Sequence, residues 1–345
     1  MVERVPGIFE VTLYDYEKGV SEMRIFIIKG NRGERSLMID AGFGNTESLA
    51  TMEVALVELG IRYEDLDVFL THKHHDHCGL ATTYARKGAR LFMNPEENRH
   101  SYDCLYYREG DESRKEQRQV LRSVGISEEN TPDVWKKYME MNEWVGKKRE
   151  PWVYAIRDYP YNHIKEGQVF EYGPYRFEAV RLRGHTLGQM GLYEREKRIL
   201  FCADQVINRI NPIVGTTYAD EHLLEYYFQS LREFKEKYQD CRIFPAHNGA
   251  IENVATVVDR IMFAYLKKMD QVKRKVEELG VPKTVWIVAQ SVYGIQEVPE
   301  DAEDFMQVKS MITKTFSCLE YLYGEGMIGR ELVDGEWMYS MIRQG

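Results

Sequence analysis

The residues with the clearest chemical meaning stand in THKHHDHCGL at 71–80, where His72, His74, Asp76 and His77 fall within six positions. Neutral imidazoles and a carboxylate are borderline-soft donors suited to Zn²⁺ or Fe²⁺, and a loop leaving a strand for a helix can turn alternate side chains toward one point. The competing reading of the stretch is a solvated, charged loop. Three more ligand-type residues weigh against it, each closing a strand-like run: His185 in RLRGHTLGQ, Asp204 in ILFCADQ and His247 in IFPAHNG. Five of the nine histidines therefore belong to one scheme, and the chemistry it points to is metal-assisted. His75 sits among them with no place in the scheme, and His100, His163 and His222 are isolated histidines best read as structural or surface residues. Cys202, two before Asp204 on an apolar strand, reads as core packing.

Positioning such a set requires strands that end at one edge. FEVTLY, MRIFII and SLMID alternate like strands joined by tight turns, a helix-period run covers 47–59 and stops at Gly60, and the buried strand DVFLT at 67–71 leads directly into the histidines. Charged, helix-favouring text with interleaved aromatics then fills about 95–165, a helical insertion. Strands resume with QVFEY, YRFEAVRL, MGLYE and RILFCAD, followed by a helix at 219–237, a strand at 242–245 and a long helix at 252–279. Beyond 280 the spacing predicts helices around 283–292 and 303–324 and a hairpin turning at Asp334-Gly335, a winged-helix-like outline.

Composition excludes several classes. With 43% hydrophobic and 12% aromatic residues a packed core is affordable, so the chain is not disordered, and 345 residues suggest two domains. The net charge of −9 is dispersed and leaves no polyanion-binding arm. No run approaches the length of an apolar membrane span, and five cysteines without regular spacing make no disulfide framework, so the expectation is a cytoplasmic protein with reduced thiols. Residues 251–345 carry 11 basic against 15 acidic side chains, which favours a packing or dimerisation module over a nucleic-acid reader.

The intact His-x-His-x-Asp-His at 72–77, followed in order by His185, Asp204 and His247, resembles the metallo-β-lactamase fold superfamily of metal-dependent hydrolases. The resemblance covers roughly 7–94 and 166–260 and implies an α/β fold, an αββα sandwich of two mixed sheets flanked by helices. It implies that His72, His74 and His185 hold one metal ion, that Asp76, His77 and His247 hold a second, and that Asp204 bridges them. Asp40, closing SLMID, matches an acid that steadies the ligand loop from behind; a strand-end Asp capping the next turn is the alternative. Asp204 stands where true β-lactamases carry cysteine, which sets penicillin hydrolysis aside in favour of glyoxalase II-like, lactonase, thioesterase and phosphodiesterase relatives. ADQVINRINPIVG and the C-terminal hairpin resemble glyoxalase II-like hydrolases more loosely.

The resulting expectation is a catalytic domain at 1–260, with the insertion inside it, and a helical, winged-helix-like region at 261–345. Its centre holds two divalent ions, zinc first, with iron or manganese as alternatives. Two ions sharing one water lower its pKa from about 15.7 toward 7, and the bridging hydroxide so formed attacks a small thioester, ester or lactone, with Asp76 as the catalytic carboxylate. The alternative is a nucleic-acid processing phosphodiesterase that uses the winged helix. Arg209, Tyr102, Tyr106, Tyr107 and Trp135 are the candidates for substrate contact, Arg183 and Arg209 being equally readable as surface residues, and the insertion is expected to cover the metals. The partner expected is a small-molecule substrate, without membrane, with nucleic acid disfavoured and a homodimer left open.

Overall fold

The apolar alternation of the opening residues becomes four strands, β1 (Val2–Val5), β2 (Ile8–Asp15), β3 (Ser21–Ile28) and β4 (Ser36–Ile39), in a computed structural model that describes residues 1–15, 21–98, 111–153 and 161–342. Next come α1 (Thr46–Leu59), β5 (Leu66–Leu70), a one-turn helix α2 (His75–Cys78), α3 (Ala81–Arg86) and β6 (Arg90–Met93). The insertion contributes α4 (Asp111–Ser123) and α5 (Pro132–Val153). Then follow β7 (Asn162–His163), β8 (Val169–Tyr172), β9 (Tyr175–Arg181), β10 (Met190–Glu194), β11 (Ile199–Ala203), α6 (Leu223–Tyr238), β12 (Arg242–Pro245) and α7 (Val254–Leu279). The chain closes with β13 (Lys283–Thr284), α8 (Val285–Tyr293), α9 (Ala302–Gly324), β14 (Ile328–Val333) and β15 (Glu336–Met341).

Two compact units emerge. The first comprises Met1–Arg99, Arg149–Pro212 and Ser230–Val258. Strands β1 to β7 form one sheet in chain order, antiparallel up to β4 and parallel from β4 to β7; β8 to β12 form a second, antiparallel except for the β11–β12 pair. Both sheets are mixed, as expected. Side-chain alternation builds two layers of core. Ile8, Phe26, Leu37, Ile39 and Phe69 meet Phe170, Phe177, Phe201 and Phe244 between the sheets, with Phe26 and Phe201 rings 5.0 Å apart. The intervening residues Val11, Ile25, Met38 and Val68 face α1 and α3, where Met52, Leu56 and Tyr84 cover them. Behind the second sheet Tyr193 packs on Tyr238 of α6 at 5.1 Å. Helix, sheet, sheet, helix is the αββα sandwich. Helix α1 starts on Asn45, whose side chain accepts from Ser48 N at 2.7 Å, and ends on Gly60 in the left-handed conformation, φ 67°.

The second unit comprises His100–Lys148, Ile213–Gln229 and Asp259–Gly345. The helices read from sequence as an insertion in the first domain therefore group with the C-terminal region, and 213–229 joins them. The reason is visible in their packing: Tyr138 of α5 meets Phe305 of α9 at 5.5 Å, Trp286 N donates to Val124 O at 2.9 Å, and Arg122 Nε donates to Asp334 O at 2.9 Å. Strand β15 pairs with both β13 and β14. The hairpin turn has φ 48° at Asp334 and 84° at Gly335, the type I′ pattern that an Asp-Gly pair favours. Inside this unit Arg330 bonds Glu320 and Asp220 and lies 4.3 Å over both Tyr323 and Trp337. No helix among the described residues is long and apolar enough to cross a membrane.

Candidate metal centre

The parallel arrangement of β4, β5 and β6 brings their C-terminal ends to one edge of the first sheet, and the second sheet delivers its loops to the same place. Asp40 follows β4, the 71–77 loop follows β5, His185 lies between β9 and β10, Asp204 follows β11 and His247 follows β12. Non-glycine residues in the left-handed region cluster at these exits: Asp40 at φ 63°, Ala203 at 48° and Asn248 at 56°. Such strain costs on the order of 1–3 kcal/mol per residue and persists where packing overrides it. Packing is tight beside them at Gly79, where a Cβ would lie 2.1 Å from Gly44 N and 2.6 Å from Gly42 O; the end of α2 is seated against the 40–44 turn with no room for any other residue.

All seven residues singled out by the sequence converge. His72 Nε2 and His185 Nε2 each lie 2.9 Å from His74 Nδ1. Ligand nitrogens on one tetrahedral ion stand roughly 3.3 Å apart, given Zn–N bonds of about 2.0–2.1 Å. Asp76 Oδ2 is 3.4 Å from His247 Nε2 and 3.8 Å from His77 Nε2. Asp204 stands between the two groups: Oδ1 is 3.5 Å from His77 Nε2 and 3.4 Å from His247 Nε2, while Oδ2 is 3.5 Å from His185 Nε2. His72, His74 and His185 form one set of mutually close donors, Asp76, His77 and His247 another, and His72, His77 and Asp204 a third that joins them.

The supporting hydrogen bonds select the tautomers. Asp40 accepts from Thr71 N at 2.8 Å and Thr71 Oγ1 at 3.0 Å, so the single Thr71 hydroxyl proton goes to the carboxylate. Thr71 Oγ1 must then accept from His72 Nδ1 at 3.0 Å, leaving Nε2 of His72 with its lone pair toward the centre. Asp40 also accepts from His77 Nδ1 at 2.8 Å, and the Glu22 carbonyl accepts from His247 Nδ1. Asp40 thus holds the ligand loop from behind, besides ending its strand.

Electrostatics divide the centre. Burial, reinforced by the neighbouring imidazoles, holds His72 and His74 well below the usual histidine range. Burial also disfavours charge on His77 and His247, but Asp40, Asp76 and Asp204 outweigh it, raising His77 and pushing His247 up to about 9. Burial opposes ionisation of Asp76 and Asp204 as well, yet the adjacent imidazoles keep both carboxyls low. His77 Nε2 and Asp204 Oδ1 are buried without a hydrogen-bond partner, an arrangement that costs free energy unless a cation satisfies them. The donor set fits divalent ions on chemistry and on this observation alike.

The other candidates are dispersed. His75 is half-exposed, its Nδ1 4.0 Å from Asp76 Oδ1. Cys202 is fully buried, and burial pushes its thiol up. Arg209 is exposed on the loop after Asp204, at φ 67°, and Arg183 is half-buried between β9 and His185. Trp135 is half-buried on α5 of the second unit. His163 is exposed, and His222 lies 3.3 Å from Glu225. Tyr102, Tyr106, Tyr107 and His100 lie outside the described residues. Sequence reading missed Thr71 and Glu97, both buried among the ligand loops. For Glu97 the sequence carried no signal: it follows β6, a four-residue strand in charged text, and only the fold sets that strand parallel to the one that feeds the histidines.

Comparison with known proteins follows this geometry. The profile of the Metallo-beta-lactamase superfamily matches residues 25–247. A Bacillus subtilis (strain 168) protein named "Probable metallo-hydrolase" is 20% identical over 280 residues, 79% of this chain and 81% of that one. A hydroxyacylglutathione hydrolase of Legionella pneumophila (strain Corby) is 25% identical over 124 residues, 35% of this chain; the match spans about half, 47%, of that enzyme. Among solved structures, a metallo-beta-lactamase family protein from Thermus thermophilus superposes with a TM-score of 0.76 at 21% identity, over 98% of this chain and 99% of the other. A beta-lactamase domain protein from Burkholderia ambifaria gives 0.78 at 18% identity, over 99% and 94%. At these identities the two structures speak for the fold alone.

Proposed function

Because the chain belongs to the metallo-beta-lactamase superfamily, we propose that it is a binuclear metal-dependent hydrolase of a small-molecule thioester, ester or lactone. The observation that carries the reading is the convergence of seven donors from four loops, with His77 Nε2 and Asp204 Oδ1 among them buried without a hydrogen-bond partner. His72, His74 and His185 would hold one ion, Asp76, His77 and His247 the other, with Asp204 between them; zinc suits imidazole and carboxylate donors, as do iron and manganese. When bound, divalent ions held there would polarise an acyl oxygen and lower the pKa of a bound water. The chain's own contribution is positional: Asp76, the more exposed of the two carboxylates, would orient the attacking water and take up its proton, with Asp204 beside it. The likeness to a hydroxyacylglutathione hydrolase supports an acyl substrate.

Substrate range is assigned to the insertion and the loop after β11, with Trp135, Tyr102, Tyr106, Tyr107 and Arg209 as the contact candidates. The order α7, β13, α8, α9, β14, β15 supports the winged-helix-like reading of the C-terminal region, and Arg330, engaged with Glu320 and Asp220, supports a packing role over nucleic-acid binding. Screening the metal-loaded protein against thioesters, lactones and phosphodiesters tests the proposal. Turnover of an acyl substrate, abolished by a chelator and restored by zinc, is expected; turnover only of phosphodiesters would contradict it.

A further inference from the structure

Resting on that reading of the centre, we infer that Glu97 is a positioning residue which sets the spacing between the two loops that carry the three-imidazole half. Glu97 lies on a 3₁₀ turn, Pro95–Asn98, directly after β6, and is 2% exposed. One oxygen, Oε2, accepts from the backbone N–H of Lys73, the residue between His72 and His74, at 2.8 Å. The other, Oε1, accepts from Thr186 Oγ1 at 2.7 Å and from the N–H of Gly188 at 2.6 Å, in the segment that begins with His185. A single carboxylate therefore brackets three ligands: two on one side, one on the other. Fit is close, since a Cβ on Gly188 would lie 2.8 Å from Oε1 and 2.9 Å from Glu97 N. At the strand ends Met190 N already donates to Thr71 O at 3.0 Å; Glu97 carries the same tie outward into the loops, where the imidazoles are.

The chemistry of the bracket is specific. All three partners are donors, so both oxygens must accept, which an ionised carboxylate does and a primary amide cannot. In Glu97→Gln one end of the amide would aim N–H groups at Lys73 N–H or at Gly188 N–H, and the loops would part. Outer groups that orient ligands typically change metal affinity by about 10–100-fold.

The test compares the full-length wild type with Glu97→Gln, Thr186→Val and Asp67→Asn. The last removes a buried carboxylate at the opposite ends of the strands and serves as a change of stability alone. Zinc affinities are measured by competition with a chromophoric chelator, and amide hydrogen exchange is followed in the chelator-stripped protein. Glu97→Gln should weaken one zinc site by about 10–100-fold, leave the other nearly unchanged, and accelerate exchange at Lys73 and Gly188 together. Thr186→Val should do the same to a lesser degree, and covers the case in which Glu97→Gln does not fold. Asp67→Asn should lower the melting temperature with both affinities and both loops intact. Equal weakening of the two sites, exchange faster in one loop only, or wild-type behaviour of Thr186→Val would overturn the inference. A wild type that binds no zinc would count against the metal centre itself, while the exchange result would still decide whether Glu97 couples the loops.

Discussion

Asp40 and Thr71 show how much of a metal centre is decided by residues that touch no metal. One carboxylate collects three donors and so dictates which nitrogen of His72 and which of His77 faces inward. Among the seven converging donors only His74 and Asp76 are partly open, and of these Asp76 is the carboxylate, the group able to handle a water's proton as well as close a ligand set. Asp76→Asn should therefore lower kcat by about 10²–10⁴ with the melting temperature little changed; steady-state kinetics beside metal content checks this, and full activity in a metal-loaded Asp76→Asn protein would exclude the role. The seven donors were legible in the sequence because imidazoles and carboxylates at strand ends are rare enough to stand out. Glu97 was not, since Asn94-Pro-Glu-Glu-Asn98 reads as solvated turn text and only the fold puts one of its two glutamates inside.

At the scale of elements, the two ends of the same strands carry opposite assignments: the C-terminal ends bear the centre, and the N-terminal ends bear a buried ionic knot. Asp67, the second residue of β5, binds Arg35 Nε and Arg90 Nε at 2.7 Å each and accepts from Tyr172 OH at 2.7 Å, joining β5, β6 and the residue before β4 in one sheet to β8 of the other. Burial raises its carboxyl, but these three partners outweigh that and depress it below the ordinary value of 3.8. A depressed carboxyl stabilises the fold fully above its unfolded value and loses that contribution as pH falls through the folded one. Asp67→Asn should cost roughly 2–4 kcal/mol at pH 7, and the gap from wild type should narrow below pH 4; urea unfolding at several pH values measures it, and a gap independent of pH would sink the assignment. Strands such as β10 and β11 and the stop of α1 at Gly60 could be read from pattern. Strands β6 and β7 could not, because four and two residues in charged text carry no period.

For the whole molecule, the packing partners of the insertion's helices lie far along the chain. Tyr138 finds Phe305 and Arg122 finds Asp334, pairings that no local pattern announces. If the insertion sets substrate range, Trp135→Ala should raise KM for a bulky acyl substrate several-fold, without altering metal content; unchanged kinetics would shift specificity to the loops bearing His185 and Asp204. All of this depends on the centre being binuclear, and elemental analysis of protein purified without chelators addresses that most directly. The seven-donor arrangement predicts close to two equivalents of divalent metal per chain, whereas a stable value near one in an active enzyme would contradict it.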